Sequence, residues 1–428
     1  MTEIGEGAFA PPPPDKPEME SEEGQQELKV RLLLFFDGTL NNRTNVEQRE
    51  KSTDIYEEHA GNGSYENDRS NIAILEANFE KQAPGYDATV SIYTEGPGTE
   101  DREADSRYGY ALGKGATGIK NKVERGIRTA VLDLQDNLSN RSGNYVVKTI
   151  DVDYFGFSRG AAGARYCIYA LNDQDGNPLK EQLESWKIPT ETITNNFVGL
   201  FDTVSSYGLS FSNDVGTLKL DAISQAKKVV QLEASEEYRK NFSLTTIESA
   251  GAKGKRICLP GAHSDVGGGY LPGPEEQVVF VGMQRDRNQD YQWLIEQGWY
   301  QQEQMTLNYP RNPVGYNIRV YRDNVGNQFS RIPLNIMVHY MEKESLCFRA
   351  RMNDALILPA SDEELQAIKI RIMGLLESPE ITSPSTWQKN DPLLNVVRNK
   401  YLHMSARESF GMGARRRDGI RVRQYYEG

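Results

Sequence analysis

The sequence predicts an α/β fold, a mostly parallel sheet with helices on both faces. Two observations carry this reading. Short apolar runs of strand length, each closed by a polar or turn-forming residue, alternate along the chain with stretches whose apolar residues recur every three to four positions. Strands that alternate with helices in this way build parallel sheets covered on both sides.

Val30 to Phe36 is the first such run, read as a buried central strand and closed by the turn-formers Asp37, Gly38 and Thr39. From Ile119 through Val123, Ile127, Ala130, Val131 and Leu134 the apolar spacing is helical, and the pattern stops near Asn140 to Gly143. A second strand follows from Val146 to Phe155, where Ile150, Val152 and Tyr154 alternate with Asp151 and Asp153. The small residues Gly160 to Ala164 then open a helix. Asn196 to Phe201 and Arg256 to Pro260 are two further strand-like runs, with a helical stretch expected around Asp221 to Lys240 between them.

Residues 1–28 hold Pro11 to Pro14, Pro17 and eight acidic side chains against Lys16 alone, a composition that buries too little apolar area to order itself. A disordered Pro-rich acidic arm is expected there, followed by the α/β core over 29–270. Between Leu271 and Phe329 the pattern loosens into Gly-Pro turns, Trp293, Trp299, Tyr300 and short strand-like runs. Residues 271–330 therefore read as an insertion, with Trp293 to Tyr300 as a lid or lipid-facing element, or as ordinary core. Residues 331–428 read as a helical part completing the core, with Leu365, Ile368, Ile372 and Leu375 on one helical stripe. Its basic tail, Arg415 to Arg423, is expected to be a solvated terminus or a contact for anionic head groups.

Composition narrows the function. Of 428 residues, 49 are Lys or Arg and 61 Asp or Glu, giving 49 − 61 = −12, which argues against a nucleic-acid binder. The mean hydropathy of −0.63 and the lack of an apolar run of about 18 residues argue against a membrane-spanning protein. Cys167, Cys258 and Cys347 have no paired spacing, so neither a disulfide framework nor a zinc cluster is expected. The opening MTEIGEGAFA has no basic and apolar signal pattern, so no secretory leader is expected and export would need another route.

The chemistry centres on Gly156-Phe157-Ser158-Arg159-Gly160. A G-x-S-x-G pentapeptide needs a strand that stops abruptly, a strained turn that exposes the serine oxygen, and a helix with small first residues. Both flanks here supply that context, which places Ser158 as nucleophile and makes the fold α/β-hydrolase-like. A serine hydroxyl needs a histidine base oriented by a carboxylate. His59 precedes the serine and breaks the expected chain order of serine, acid, histidine. His339 and His403 read as packed histidines, whereas His263 follows a strand run and precedes three glycines, Gly267 to Gly269. Asp202 ends the strand run Phe197 to Phe201 and is the expected acid; Asp265, on the histidine's own loop, reads more readily as shaping that loop. The oxyanion hole needs two backbone N–H groups. Arg159 supplies one, and the Gly38-Thr39 turn after the first strand is expected to supply the other.

With these segments assembled, the sequence resembles the type VI secretion lipase effectors of the Tle1 kind, a serine-hydrolase family whose catalytic domain was long of unknown function. The ordered segments that carry the resemblance are Phe36 to Asn42, Arg69 to Ile72, Tyr93 to Gly98, Gly156 to Ala161, Phe201 to Val204 and Gly261 to Tyr270. The family's nucleophile, acid and base fall on Ser158, Asp202 and His263. One departure is Gln231, where relatives often carry a histidine in a helix. The resemblance implies a phospholipase A acting on acyl esters of membrane phospholipids, without metal or organic cofactor, as an antibacterial toxin. It also implies synthesis in the bacterial cytoplasm, delivery to the target-cell periplasm by a secretion-spike carrier, and a cognate immunity protein. The alternatives are a cytosolic carboxylesterase or thioesterase on small soluble esters, and a non-catalytic module that kept the scaffold.

Overall fold

Six strands pair side by side, all in parallel, in the computed structural model, which describes residues 26–428 except 140, 142, 173–175, 207–213, 274, 284–286, 309–314 and 408–411. They are β1 (Gln26–Phe36), β2 (Ala88–Thr94), β3 (Tyr145–Phe157), β4 (Thr190–Phe201), β5 (Lys228–Ala234) and β6 (Gly254–Leu259). Their order across the sheet is β2-β1-β3-β4-β5-β6. After β1 the chain moves to one side to form β2, then returns to lay β3 on the other. A crevice opens at such a reversal, outside the carboxyl ends of β1 and β3.

Alternation along each strand splits the core into two layers. Leu33 and Phe35 of β1, Phe155 and Phe157 of β3, and Phe197 and Phe201 of β4 face helices Asn71–Asn78 and Arg331–Lys343, through Ile72, Leu75, Ile336 and Met337. The rings of Phe35 and Phe155 stack across the strands at 4.5 Å. Each such ring removed from water contributes about 1.5–3 kcal/mol. On the opposite face Val30, Leu32, Leu34, Ile150, Val152 and Leu200 meet helices Ile119–Ser139, Arg159–Asn172 and Pro178–Ser185. Within the apolar run of β1, Arg31 is also buried, its Nε 2.6 Å from Asp153 of β3 and one amino group on the Glu344 carbonyl. Among the described residues no helix is long and apolar enough to cross a membrane.

The structure departs from the expected element layout in three places. The first strand already begins at Gln26, so residues 26–28 belong to the sheet; the rest of the expected arm, 1–25, lies outside the described residues. The stretch from Asp221 to Lys240 is no helix. It holds a short 3-10 turn, Leu220–Gln225, and then β5. Its polar residues are buried in tertiary hydrogen bonds: Gln231 takes the Thr203 hydroxyl at 2.6 Å and donates to Glu233, which is paired with Arg256.

Segment 271–330 follows the ordinary-core reading of the two that the sequence left open. Glu276–Met283, Met305–Asn308 and Gly315–Arg322 form a small antiparallel sheet with Gly315–Arg322 in the middle. Trp299 and Tyr300 are fully buried in the same core as Phe155, so they pack as core and not as a lid. The third departure is the basic tail, part of which packs into the fold instead of standing free as a solvated terminus, with Arg417 exposed. Arg416 and Arg421 both hold Asp290, Arg423 is buried on Asp202, and Tyr425 pairs beside Leu244.

Candidate active site

β3 ends at Phe157 and helix Arg159–Asn172 begins two residues later, leaving Ser158 alone at the turn. Its φ of 57° lies in the left-handed region, a strained conformation for a side chain. The flanking glycines are required by contact. A Cβ on Gly156 would sit 2.5 Å from the Ala161 Cα, and one on Gly160 2.2 Å from the Asp37 carbonyl oxygen. The turn is fastened to β4: the Ser158 N–H donates to the Phe201 carbonyl at 3.0 Å and its carbonyl accepts from Val204.

Asp202 follows β4 directly, itself at φ 46° with its N–H on the Leu232 carbonyl of β5. Its Oδ2 lies 2.5 Å from His263 Nδ1. That contact assigns the ring proton to Nδ1 and leaves Nε2 as the acceptor. The ring lies between Phe157 and Phe242, with centroids at 4.6 and 5.1 Å. Burial lowers the His263 pKa, and the neighbouring Asp202 carboxylate only partly opposes this. Burial alone would raise Asp202. The Arg423 guanidinium and the His263 hydrogen bond outweigh it and hold the carboxyl well below the usual range.

Ser158 and His263 open on one cavity of about 430 Å³ at the carboxyl ends of β1 and β3, with Thr39, Arg159, Arg239 and Tyr270 also in its wall. The size suits part of a lipid or a small ester. Of the four histidines only His263 lines it, and among the described residues none from 271–330 does. Asp202 stands behind His263, out of the cavity wall.

The two sides of the expected oxyanion hole differ. Arg159 and Thr39 both line the cavity, and the Arg159 Nε donates to the Thr39 hydroxyl at 2.7 Å, tying elbow to turn. Gly38 does not fit the expectation. Its N–H donates to Asp37 Oδ1 at 2.7 Å, the tight-turn geometry, and Gly38 is not part of the cavity wall. Asp37 also accepts from the Tyr93 hydroxyl at 2.6 Å; burial, opposed by these donors, pushes its carboxyl up to about 6.

Asp265 faces away from the His263 ring. Its carboxylate caps the Ala262 N–H at 2.8 Å and receives His403 through Nδ1 at 2.8 Å, while the His403 ring stacks on Tyr270 at 3.8 Å. Sequence reasoning missed two acids that fasten the same loop. Glu236 accepts the Gly261 N–H and pairs with Arg398; Glu237 accepts the His263 N–H and pairs with Arg239. Burial would raise Glu237, yet Arg239 draws it down to about 2. The signal was two adjacent acids and an arginine just past a strand, in Glu236-Glu237-Tyr238-Arg239. Arg423 carried no local signal at all.

Residues 171–297 match the family described as T6SS, phospholipase effector Tle1-like, catalytic domain. The chain resembles the Tle1-like effectors. The matched stretch includes Asp202 and His263 and begins after Ser158. A solved structure of the Tle1 effector bound to the VgrG spike of the type 6 secretion system superposes with a TM-score of 0.64 at 20% identity, over 94% of each chain. The Tle1-like fold thus extends over nearly the whole chain. An uncharacterized protein from Pseudomonas aeruginosa aligns at 17% identity over 88% of this chain and 53% of that one, with a TM-score of 0.43. No protein of curated function matches the sequence.

Proposed function

We propose that this protein is a serine-dependent phospholipase A that hydrolyses acyl esters of membrane phospholipids, acting as an antibacterial type VI secretion effector. The observation that carries the serine mechanism is the 2.5 Å contact of His263 Nδ1 with Asp202, set beside Ser158 on its strained turn in one cavity. The phospholipid substrate and the spike-borne delivery are supported by the Tle1-like match and by the likeness to an effector solved on its spike. A secretion-spike carrier and an immunity protein in the producing cell are the partners this reading calls for, and the target-cell periplasm is its place of action.

The chemistry is a two-step acyl transfer. His263 Nε2 takes the Ser158 proton as Oγ attacks the ester carbonyl, and the negative charge that develops on the carbonyl oxygen is stabilised by the backbone N–H groups of Arg159 and Thr39. The imidazolium then gives its proton to the departing alcohol oxygen, leaving an acyl ester on Ser158. Water, activated by the same nitrogen, releases the fatty acid and restores the serine. Asp202 holds the ring tautomer throughout and stabilises the imidazolium.

Labelling with a serine-reactive phosphonate tests the nucleophile. One phosphonyl group on Ser158, absent from Ser158→Ala and from His263→Ala, is the expected result; labelling elsewhere, or none, would remove Ser158 from the role.

A further inference from the structure

The acid of the triad is held by more than its histidine. Asp202 Oδ1 accepts from Arg423 at 2.6 Å and from the Ala234 N–H at 2.8 Å, and Oδ2 accepts from the other Arg423 amino group at 2.8 Å in addition to His263. The guanidinium is thus forked on the carboxylate, with almost no exposed area on either side chain. It also donates to the carbonyls of Ala234 at 2.7 Å and Phe242 at 3.1 Å, so its position is fixed from the ends of β5 and the loop beyond it. This arginine lies far from the rest of the site in sequence and enters from the strand segments after Arg415.

We propose that Arg423 is a positioning residue for the acyl transfer, which neutralises Asp202 and so keeps His263 in its proton-accepting form to a lower pH. The inference rests on the reading of Ser158, His263 and Asp202 as a triad. Counting charge gives the reason. With Arg423 in place, Asp202 and a neutral ring make a buried group of zero net charge, and protonating the ring leaves it at +1. Without Arg423, the carboxylate and a neutral ring carry −1, and taking up a proton brings them to zero. A desolvated site favours the neutral state in each case, so the ring binds its proton at lower pH when Arg423 is present.

The other charged and titratable groups around this set do not reverse the count. Glu237 and Arg239, which both face His263, are paired with each other at 2.8 Å. Tyr425 lies against Arg423 with its hydroxyl pushed upward by burial and stays neutral. Cys258, further along the same face, is likewise held as the thiol by burial and Glu233.

The test uses the full chain with isotope-labelled histidine, the His263 ring being assigned by its loss in His263→Gln. Ring titration is followed by NMR, and the acid limb of kcat/KM by hydrolysis of a short soluble ester. In Arg423→Gln both midpoints are expected to rise by about one unit, while Arg423→Lys, which keeps the charge, brings them back toward wild type. A purely structural role would lower activity at every pH and leave the midpoints in place; unmoved midpoints in a folded Gln variant, or a Lys variant that titrates like Gln, would overturn the proposal. Wild type supplies a check that survives misfolding of the Gln variant. Its His263 ring is expected to titrate below about 6.5, the ordinary histidine value, and a midpoint above that would also overturn it. Ring titration needs no turnover, so an inactive Ser158 would undo the triad reading without moving this result.

Discussion

The His263 backbone N–H donates to the Glu237 carboxylate at 3.2 Å, and the same carboxylate holds both the Nε and a terminal amino group of Arg239. His263 is therefore fixed through its main chain as well as through its ring. Glu237→Gln keeps the shape and removes the charge that pairs with Arg239. A loss of about 10- to 100-fold in kcat with the fold retained is expected, by analogy with the loss of supporting contacts behind a reactive ligand. Unchanged kcat with weakened thermal stability alone would assign Glu237 to stability only.

Gly160 meets the Asp37 carbonyl so closely that Gly160→Ala cannot be accommodated without moving the elbow or the β1 turn. Near-complete loss of activity is expected, because a displacement of about 1 Å at a reacting group costs on the order of 100-fold. Gly163→Ala, whose new Cβ would meet side chains only at 3.4 Å or more, is expected to be nearly silent. Paired kinetic and thermal measurements on the two variants check this; equal effects would show that backbone clearance is not what fixes the glycine at 160.

Asp37 gives a pH signature in stability. Its carboxyl is raised from 3.8 to about 6 in the fold, chiefly by burial, so the folded state holds the proton more tightly than the unfolded chain does. Its contribution is fully present below about pH 4 and is lost as pH rises through about 6, a change on the order of 3 kcal/mol. The stability of Asp37→Asn relative to wild type should accordingly increase between pH 4 and pH 7 in urea unfolding. A difference that stays flat over this window would contradict the buried, proton-holding carboxyl.

Arg31 and Asp153 make a buried ion pair across β1 and β3, and removing one partner strands the other. Asp153→Ala is expected to cost about 3–5 kcal/mol. The double replacement Arg31→Met with Asp153→Leu should recover most of that loss, since two apolar side chains leave no charge uncompensated. Equal destabilisation of the single and double variants in denaturant titrations would mean that shape, not charge, sets the cost.

Much of this architecture was legible because local signals and tertiary structure agree. Val30 to Phe36 and Val146 to Phe155 read as strands because their apolar spacing matches burial on both faces, and Ser158 was singled out because its turn needs glycines that the sequence displays. The stretch from Asp221 to Lys240 was misread because nothing local shows that Gln231, Glu233 and Glu236 are satisfied by the distant Thr203, Arg256 and Arg398. The Gly38 N–H was assigned to substrate because nothing local shows that the preceding aspartate takes it. Arg423 was invisible for a different reason. Its partner is 221 positions away, and a basic segment with a distant acid has the same composition as a solvated tail.

The central claim is that Ser158 drives hydrolysis of phospholipid acyl esters, and one measurement tests it most directly. Vesicles of a phospholipid with two different acyl chains are incubated with purified wild type or Ser158→Ala, and the released fatty acids are resolved by mass. Release by wild type alone, with one chain favoured over the other, is the predicted result. Equal release by both proteins, or brisk cleavage of short soluble esters by wild type with none from the vesicles, would contradict it.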